Sequence, residues 1–175
     1  MPNWVANQLK VSGNPSVVLA FTLAVRGTGK YAKSALDFNQ VIPCPQELYE
    51  TESMGLPSEH PNRAAYEARC AANKAKYGYE TWYEFCCEEW GTKWNACDAA
   101  IVDKETTNYV DYVFNTAWAP PTPVIVKMSK DWPSLLFKHM AVEEFGSFEP
   151  VLELYQNGVL LTTFGDEGKQ AYHFN

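Results

Sequence analysis

The stretch YVDYVFNT, Tyr109 to Thr116, is the part of the chain with the fewest ways to fold. Successive side chains of a strand point to opposite sides, so Val110, Tyr112, Phe114 and Thr116 share one face and Tyr109, Asp111, Val113 and Asn115 the other. One face is core and the other mixed. A strand over about Asn95 to Val102 precedes it across the polar turn Asp103 to Asn108. A first strand is expected over Trp4 to Ser12, where Val5, Gln8, Leu9 and Val11 lead to the turn signal Gly13-Asn14-Pro15.

Asn14 as N-cap and Pro15 at the first helical position predict a helix to about Arg26, with Val18, Leu19, Phe21, Thr22 and Val25 as its apolar stripe. Gly27 is expected to end it in a left-handed cap. LDFNQVIPCP, Leu36 to Pro45, alternates and then meets two prolines, which predicts a short strand leading into a turn. APPTP, Ala119 to Pro123, stops the YVDYVFNT strand. Pro121 to Trp132 then form a helix with Val124, Ile125 and Met128 inward. Leu135 to Val142 read as a further strand, and Phe148 to Tyr155 with Val159 to Phe164 as a hairpin about Asn157-Gly158, a strong two-residue turn signal.

Strand, helix, strand, strand, helix, strand is the ferredoxin-like split βαβ order, an α+β fold. The expected organisation is one domain over 1–175, with a helical insertion at about 46–92 and an added C-terminal β-hairpin. Within the insertion, a loop rich in Pro, Gly and Ser precedes an alanine-rich helix from Asn62 to Lys76, net basic through Arg63, Arg69, Lys74 and Lys76, and ended by Gly78. The next helix, Tyr79 to Trp90, places Tyr79, Trp82, Tyr83, Cys86 and Trp90 on one face at about 100° per residue, with Glu80, Glu84 and Glu88 opposite. It runs directly into EEWGTKWN, Glu88 to Asn95, where Trp90 and Trp94 bracket Gly91, Thr92 and Lys93.

A formal charge of −7 in 175 residues argues against a general phosphate-backbone binder, since such proteins gain affinity by releasing counterions through clustered Lys and Arg. Nucleic acid is therefore an unlikely partner, although an acidic surface can mimic one. No run approaches the roughly 18 apolar residues of a membrane span, and Met1-Pro2-Asn3-Trp4 begins no signal segment, so a cytoplasmic protein is expected. The five cysteines include no CxxC pair, which suggests neither a disulfide framework nor a zinc site.

Met1-Pro2-Asn3-Trp4 with Asn7, Phe38-Asn39 with Ile42-Pro43-Cys44-Pro45, Trp82-Tyr83, Trp90-Gly91-Thr92-Lys93-Trp94, Phe114 to Pro121 and Glu143-Glu144-Phe145-Gly146 stand in one order along the chain. Together they resemble the Api-like and YubB-like family of phage and conjugative-plasmid proteins. The resemblance implies a ferredoxin-like domain and a mobile-element setting, and it supplies no catalytic residues. Val5 stands where a Cys is usual, and Cys86 with Glu89 replace a more basic, Asn-containing helix. The word ferredoxin here describes topology, because this cysteine spacing holds no iron–sulfur cluster.

His60, His139 and His173 are scattered, so no metal, cofactor or catalytic residue is assigned. RGTGKY, Arg26 to Tyr31, follows a helix and lacks the GxxxxGK[ST] spacing, and reads as a helix exit rather than a phosphate loop. Glu143, Glu144, Glu149 and Glu153 leave open a hydrolase or phosphodiesterase with a carboxylate-lined cleft. Binding fits the residues better, because aromatic faces suit purines and guanidinium groups. The candidate ligand-binding set is Trp82, Tyr83, Trp90, Lys93, Trp94, Asn115, Thr116 and Trp118. The expected partner is a nucleotide-type small molecule or a host defence protein, in a counter-defence role.

Overall fold

A computed structural model describes residues 3–29, 33–53, 55–103 and 108–163. Strand β1, Trp4–Ser12, sends Val5, Leu9 and Val11 into the core and leaves the alternate residues half-buried. Asn14 then starts helix α1, Pro15–Ala24, its Oδ1 accepting from Ser16 N at 3.0 Å, while Pro15 occupies a position that needs no N–H. The helix stops short of the sequence expectation. Val25 caps it in a right-handed conformation and Gly27 is not left-handed; its N–H donates to Ser34 O at 3.1 Å. That hydrogen bond turns the chain back, so no left-handed cap is needed there.

The strand predicted over Leu36 to Pro45 is absent. Asp37 Oδ1 accepts from Asn39 N at 3.0 Å and caps a 3-10 turn, Phe38–Gln40. Such local side-chain caps compete directly with ladder formation. The turn drops Phe38 into the core, edge-on to Trp90 at 5.8 Å and to Phe114 at 6.0 Å.

Three helices follow, α2 (Gln46–Tyr49), α3 (Arg63–Tyr77) and α4 (Trp82–Phe85), and α4 widens into a π-helical turn over Cys86–Trp90. Gly78, at φ +84°, ends α3. Lys76 meets Glu47 at 2.9 Å and Lys74 meets Glu84 at 3.8 Å, linking α3 to α2 and α4. These pairs are exposed, and solvent screening leaves each of them a minor contribution.

The remaining elements are β2 (Cys97–Asp103), β3 (Tyr109–Ala117), α5 (Thr122–Asp131), β4 (Leu136–Glu143), β5 (Val151–Gln156) and β6 (Val159–Thr163). All pair antiparallel in the order β2-β3-β1-β4-β5-β6. The first four strands with α1 and α5 are the split βαβ arrangement, and the hairpin extends the sheet beyond β4. Its turn uses Asn157 and Gly158, at φ +50° and +74°. Residues 104–107 of the expected β2–β3 turn, Phe164 and His173 lie outside the described residues.

Phe21 of α1 ties the helical layer to the sheet, packing edge-on against Phe137 at 5.5 Å, Trp132 at 5.7 Å and Tyr112 at 6.3 Å. Val124, Ile125 and Met128 of α5 are buried in the same core. A polar thread crosses this face at its β1-start end. Asn7 Nδ2 donates to Val5 O at 2.8 Å and Thr116 Oγ1 at 2.9 Å, and Asn7 Oδ1 lies 3.0 Å from His139 Nε2. The five cysteines are free, with Cys44, Cys70 and Cys86 buried. No described helix is long and apolar enough to cross a membrane.

Candidate functional site

Thr81 Oγ1 accepts from Glu84 N at 3.3 Å to start α4, and Glu84 Oε2 accepts from Glu80 N at 2.9 Å. The π-helical turn then adds a residue to the cycle, which shifts every later side chain around the axis. Phe85, Cys86 and Trp90 point inward, whereas Tyr83 remains half-buried. The single aromatic face expected from even helical spacing is thus split between core and surface. Tyr79 donates from its hydroxyl to Glu89 Oε1, and that carboxylate pushes the phenol up to about 12.

Trp90 closes the core side. Its ring is 1% exposed, stands edge-on to Phe38 at 5.8 Å and Phe85 at 6.1 Å, and donates from Nε1 to Ile42 O at 2.9 Å. Gly91 follows at φ +74°, and a Cβ placed on it would lie 2.7 Å from Pro123 Cδ. Gly91→Ala should therefore lose about 1–3 kcal/mol through backbone strain and that clash, read by urea unfolding. Unchanged stability would show that the corner relaxes freely.

Thr92 anchors the loop to the end of β3. Its Oγ1 donates to Ala117 O at 2.7 Å and accepts from Ala117 N at 3.1 Å. Lys93 then emerges among rings: its Nζ is 4.9 Å from the Trp118 centroid, 5.2 Å from Trp94 and 5.6 Å from Tyr83. No ion pair to Lys93 occurs among the described residues. Trp94 leans on Trp4 at 5.8 Å and Trp118 stands edge-on to Tyr83 at 6.3 Å. Trp118 is 44% exposed and held at φ +73°, a conformation that a bulky residue adopts only when its surroundings impose it. The constraint includes Trp118 N donating to Asn3 O at 2.9 Å.

Beside Lys93 is a hollow of about 230 Å³ walled by Trp82, Trp94, Tyr49, Cys86 and Cys97, with Trp90 at its base. Its cysteines are poor nucleophiles: the Cys44 thiol and burial push Cys86 up, and burial pushes Cys97 up. Asn95 is occupied, since Oδ1 accepts from Phe38 N and Ala96 N at 2.8 Å and Nδ2 donates to Asp37 Oδ1 at 2.6 Å.

Of the eight residues expected to bind ligand, Trp82, Lys93 and Trp94 line the hollow, and Tyr83 and Trp118 complete the rings about Lys93. Trp90 touches the hollow, but its indole N–H is engaged. Thr116 is fully buried, and its hydroxyl is engaged: it donates to Ala119 O at 2.8 Å and accepts from Asn7 Nδ2 at 2.9 Å. Asn115 lies on the opposite face of β3 and outside the hollow's wall. Tyr49 and Trp4 come from distant segments, and no local pattern marks them; Cys97 follows Trp94 by three residues.

The carboxylates lie elsewhere. Glu143 Oε2 accepts from Ser147 N at 2.8 Å and Phe145 N at 2.9 Å, which holds this carboxyl below its usual range. Glu144 Oε1 accepts from Trp4 N at 2.8 Å, and Glu153 Oε2 from the Tyr155 hydroxyl at 2.8 Å. The described residues include no group of three or more His, Cys, Asp and Glu placed to hold a metal.

Residues 89–175 match a family model described as a ferredoxin-like domain in Api92-like protein. The crystal structure of protein api92 from Yersinia pseudotuberculosis is similar over 94% of this chain and 98% of that one, with a TM-score of 0.56 at 10% identity. At that identity the likeness carries the fold and no correspondence of residues. No curated protein matches the chain. The family match begins as the helical insertion ends and includes Lys93, Trp94 and Trp118; through it, residues 89–175 belong to the family of ferredoxin-like domains found in Api92-like protein.

Proposed function

We propose that this protein acts by binding, in the mobile-element setting that its family resemblance implies, and that it withdraws a planar, anionic, nucleotide-type ligand at the corner around Lys93. The observation that carries the reading is a lysine ammonium surrounded by three aromatic rings, without a carboxylate partner among the described residues, at the edge of an aromatic hollow. Rings stabilise the cation without neutralising it, so the charge remains available to an incoming anion. The hollow's 230 Å³ is below the roughly 300–1,000 Å³ of sites that enclose a whole drug-sized ligand. It therefore accepts one base, with the phosphate outside at Lys93, rather than engulfing a cyclic dinucleotide.

Calorimetry with adenosine 5′-monophosphate, cyclic adenosine monophosphate and adenosine tests this. The two phosphates should bind and adenosine should bind more weakly. Lys93→Ala should weaken the phosphates by about ten- to a hundred-fold, the loss of one charge-assisted hydrogen bond, with the melting temperature unchanged. Recovery of the ligand intact agrees with sequestration, while a changed mass would instead demonstrate catalysis. No heat from any of the three sinks the small-molecule reading.

One observation favours docking on a host protein as a second reading. Trp118 and Phe145, 44% and 74% exposed, flank the start of β1, where Trp118 N donates to Asn3 O and Glu144 N to Trp4 O. Exposed aromatics around a buried centre are the usual anchors of a protein interface. Trp118→Ala would then abolish partner capture, while Lys93→Ala would leave it intact.

A further inference from the structure

Arg26, in the RGTGKY segment, stands at the rim of a second pocket. Helix α1, the returning chain at Lys33 and Ala35, and β2 enclose about 390 Å³, within the size range of small-molecule sites. The space exists because the facing positions are small. Ala35, Ala99 and Ala100 line it where larger strand residues would fill it, and Ala35 N donates to Ala99 O at 3.2 Å to fix the returning chain on β2. Leu23, 63% exposed, and Ile101 complete an apolar wall.

The rim is cationic. Arg26 and Lys33 converge on this pocket, and neither has an ion pair among the described residues. Arg63, Arg69, Lys74, Lys76 and Lys127 each have a carboxylate within 4.0 Å. An anion at this rim is attracted by both cations. The C-terminal end of α1 opposes an anion with about half a charge, less than the two full cations supply.

We infer that this pocket binds a small phosphate monoester. The guanidinium of Arg26 and the ammonium of Lys33 hold the phosphate, and the alanine floor takes a compact apolar body. Arg forks suit phosphate oxygens, and the alanine-lined side of a pocket of this volume has room for one ring. The site is separate from the Lys93 corner and independent of the function proposed there.

Amide NMR titrations with phenyl phosphate, inorganic phosphate and phenol test it. Phenyl phosphate should shift the Ala35, Ala99, Ala100 and Ile101 amides saturably, inorganic phosphate and phenol should act at least about tenfold more weakly, and Lys93→Ala should leave the result unchanged. The double variant Arg26→Gln with Lys33→Gln should weaken phenyl phosphate by at least about tenfold with the melting temperature retained; both side chains are exposed, so the fold does not depend on them. The inference is overturned if these amides do not move, if the double variant binds as well as the parent, or if phenol or inorganic phosphate matches phenyl phosphate.

Discussion

Trp90→Ala should lower the unfolding free energy by about 3–5 kcal/mol, the cost of emptying a buried large aromatic. The ring meets both Phe38 and Phe85 edge-on, and its N–H satisfies Ile42 O at 2.9 Å. Truncation therefore leaves a cavity and removes the hydrogen bond that secures the 3-10 region to the π-helical turn. Trp90→Phe should recover most of the packing while still losing the hydrogen bond, a residual loss of about 1–2 kcal/mol. Denaturant unfolding followed by circular dichroism measures both. If alanine costs less than about 1 kcal/mol, Trp90 is not the pin between insertion and sheet.

The second large effect is acid destabilisation through His139. This imidazole is fully buried, its Nε2 lies 3.0 Å from Asn7 Oδ1, and its Nδ1 has no partner among the described residues. Glu153 is its ladder neighbour on β5, but that carboxylate accepts from Tyr155. Burial disfavours the charged ring and lowers its pKa to about 4 from 6.5. Between those values the unfolded chain binds a proton that the folded chain refuses. Stability is thus complete above pH 6.5 and falls as pH drops through 4, by about 3 kcal/mol from this group. His139→Leu should remove this component while costing stability at pH 7, because Asn7 Oδ1 is left unpaired. Unfolding free energies at pH 7 and pH 4.5 should fall less in His139→Leu than in the parent; equal losses would assign the acid sensitivity to other groups.

Elements written in neighbouring residues were legible from the sequence. Asn14-Pro15 starts α1, Asn157-Gly158 turns the hairpin, and the alternation of Tyr109 to Thr116 sets β3, each with a local physical cause. The 3-10 turn at Phe38 was hidden because Asp37 and Asn39 offered a cap that the alternating pattern does not reveal. The π-helical turn was hidden for another reason. It leaves regular helical spacing behind, and what stabilises it is tertiary, through Phe85, Cys86 and Trp90 reaching the core together.

The same division governs the corner. Lys93 stood out because it lies between two indoles in the sequence, and Trp82 and Trp94 join it at the hollow. Thr116 shares the core side of β3 with Phe114, so the alternation that placed that strand also argues against exposure of Thr116. Tyr49 and Trp4 reach the corner only through the insertion and the start of β1, and the 5.8 Å contact of Trp4 with Trp94 is a product of the complete fold.

On the proposed reading, the rings around Lys93 form a ligand surface while Trp90 is structure. The indole N–H resonances of the six tryptophans, assigned by single Trp→Phe substitutions and followed during titration with adenosine 5′-monophosphate, test it most directly. Saturable shifts are expected for Trp82, Trp94 and Trp118, abolished together by Lys93→Ala, with Trp90 and Trp132 nearly still. Titration that moves none of the three, or moves them equally in Lys93→Ala, contradicts it.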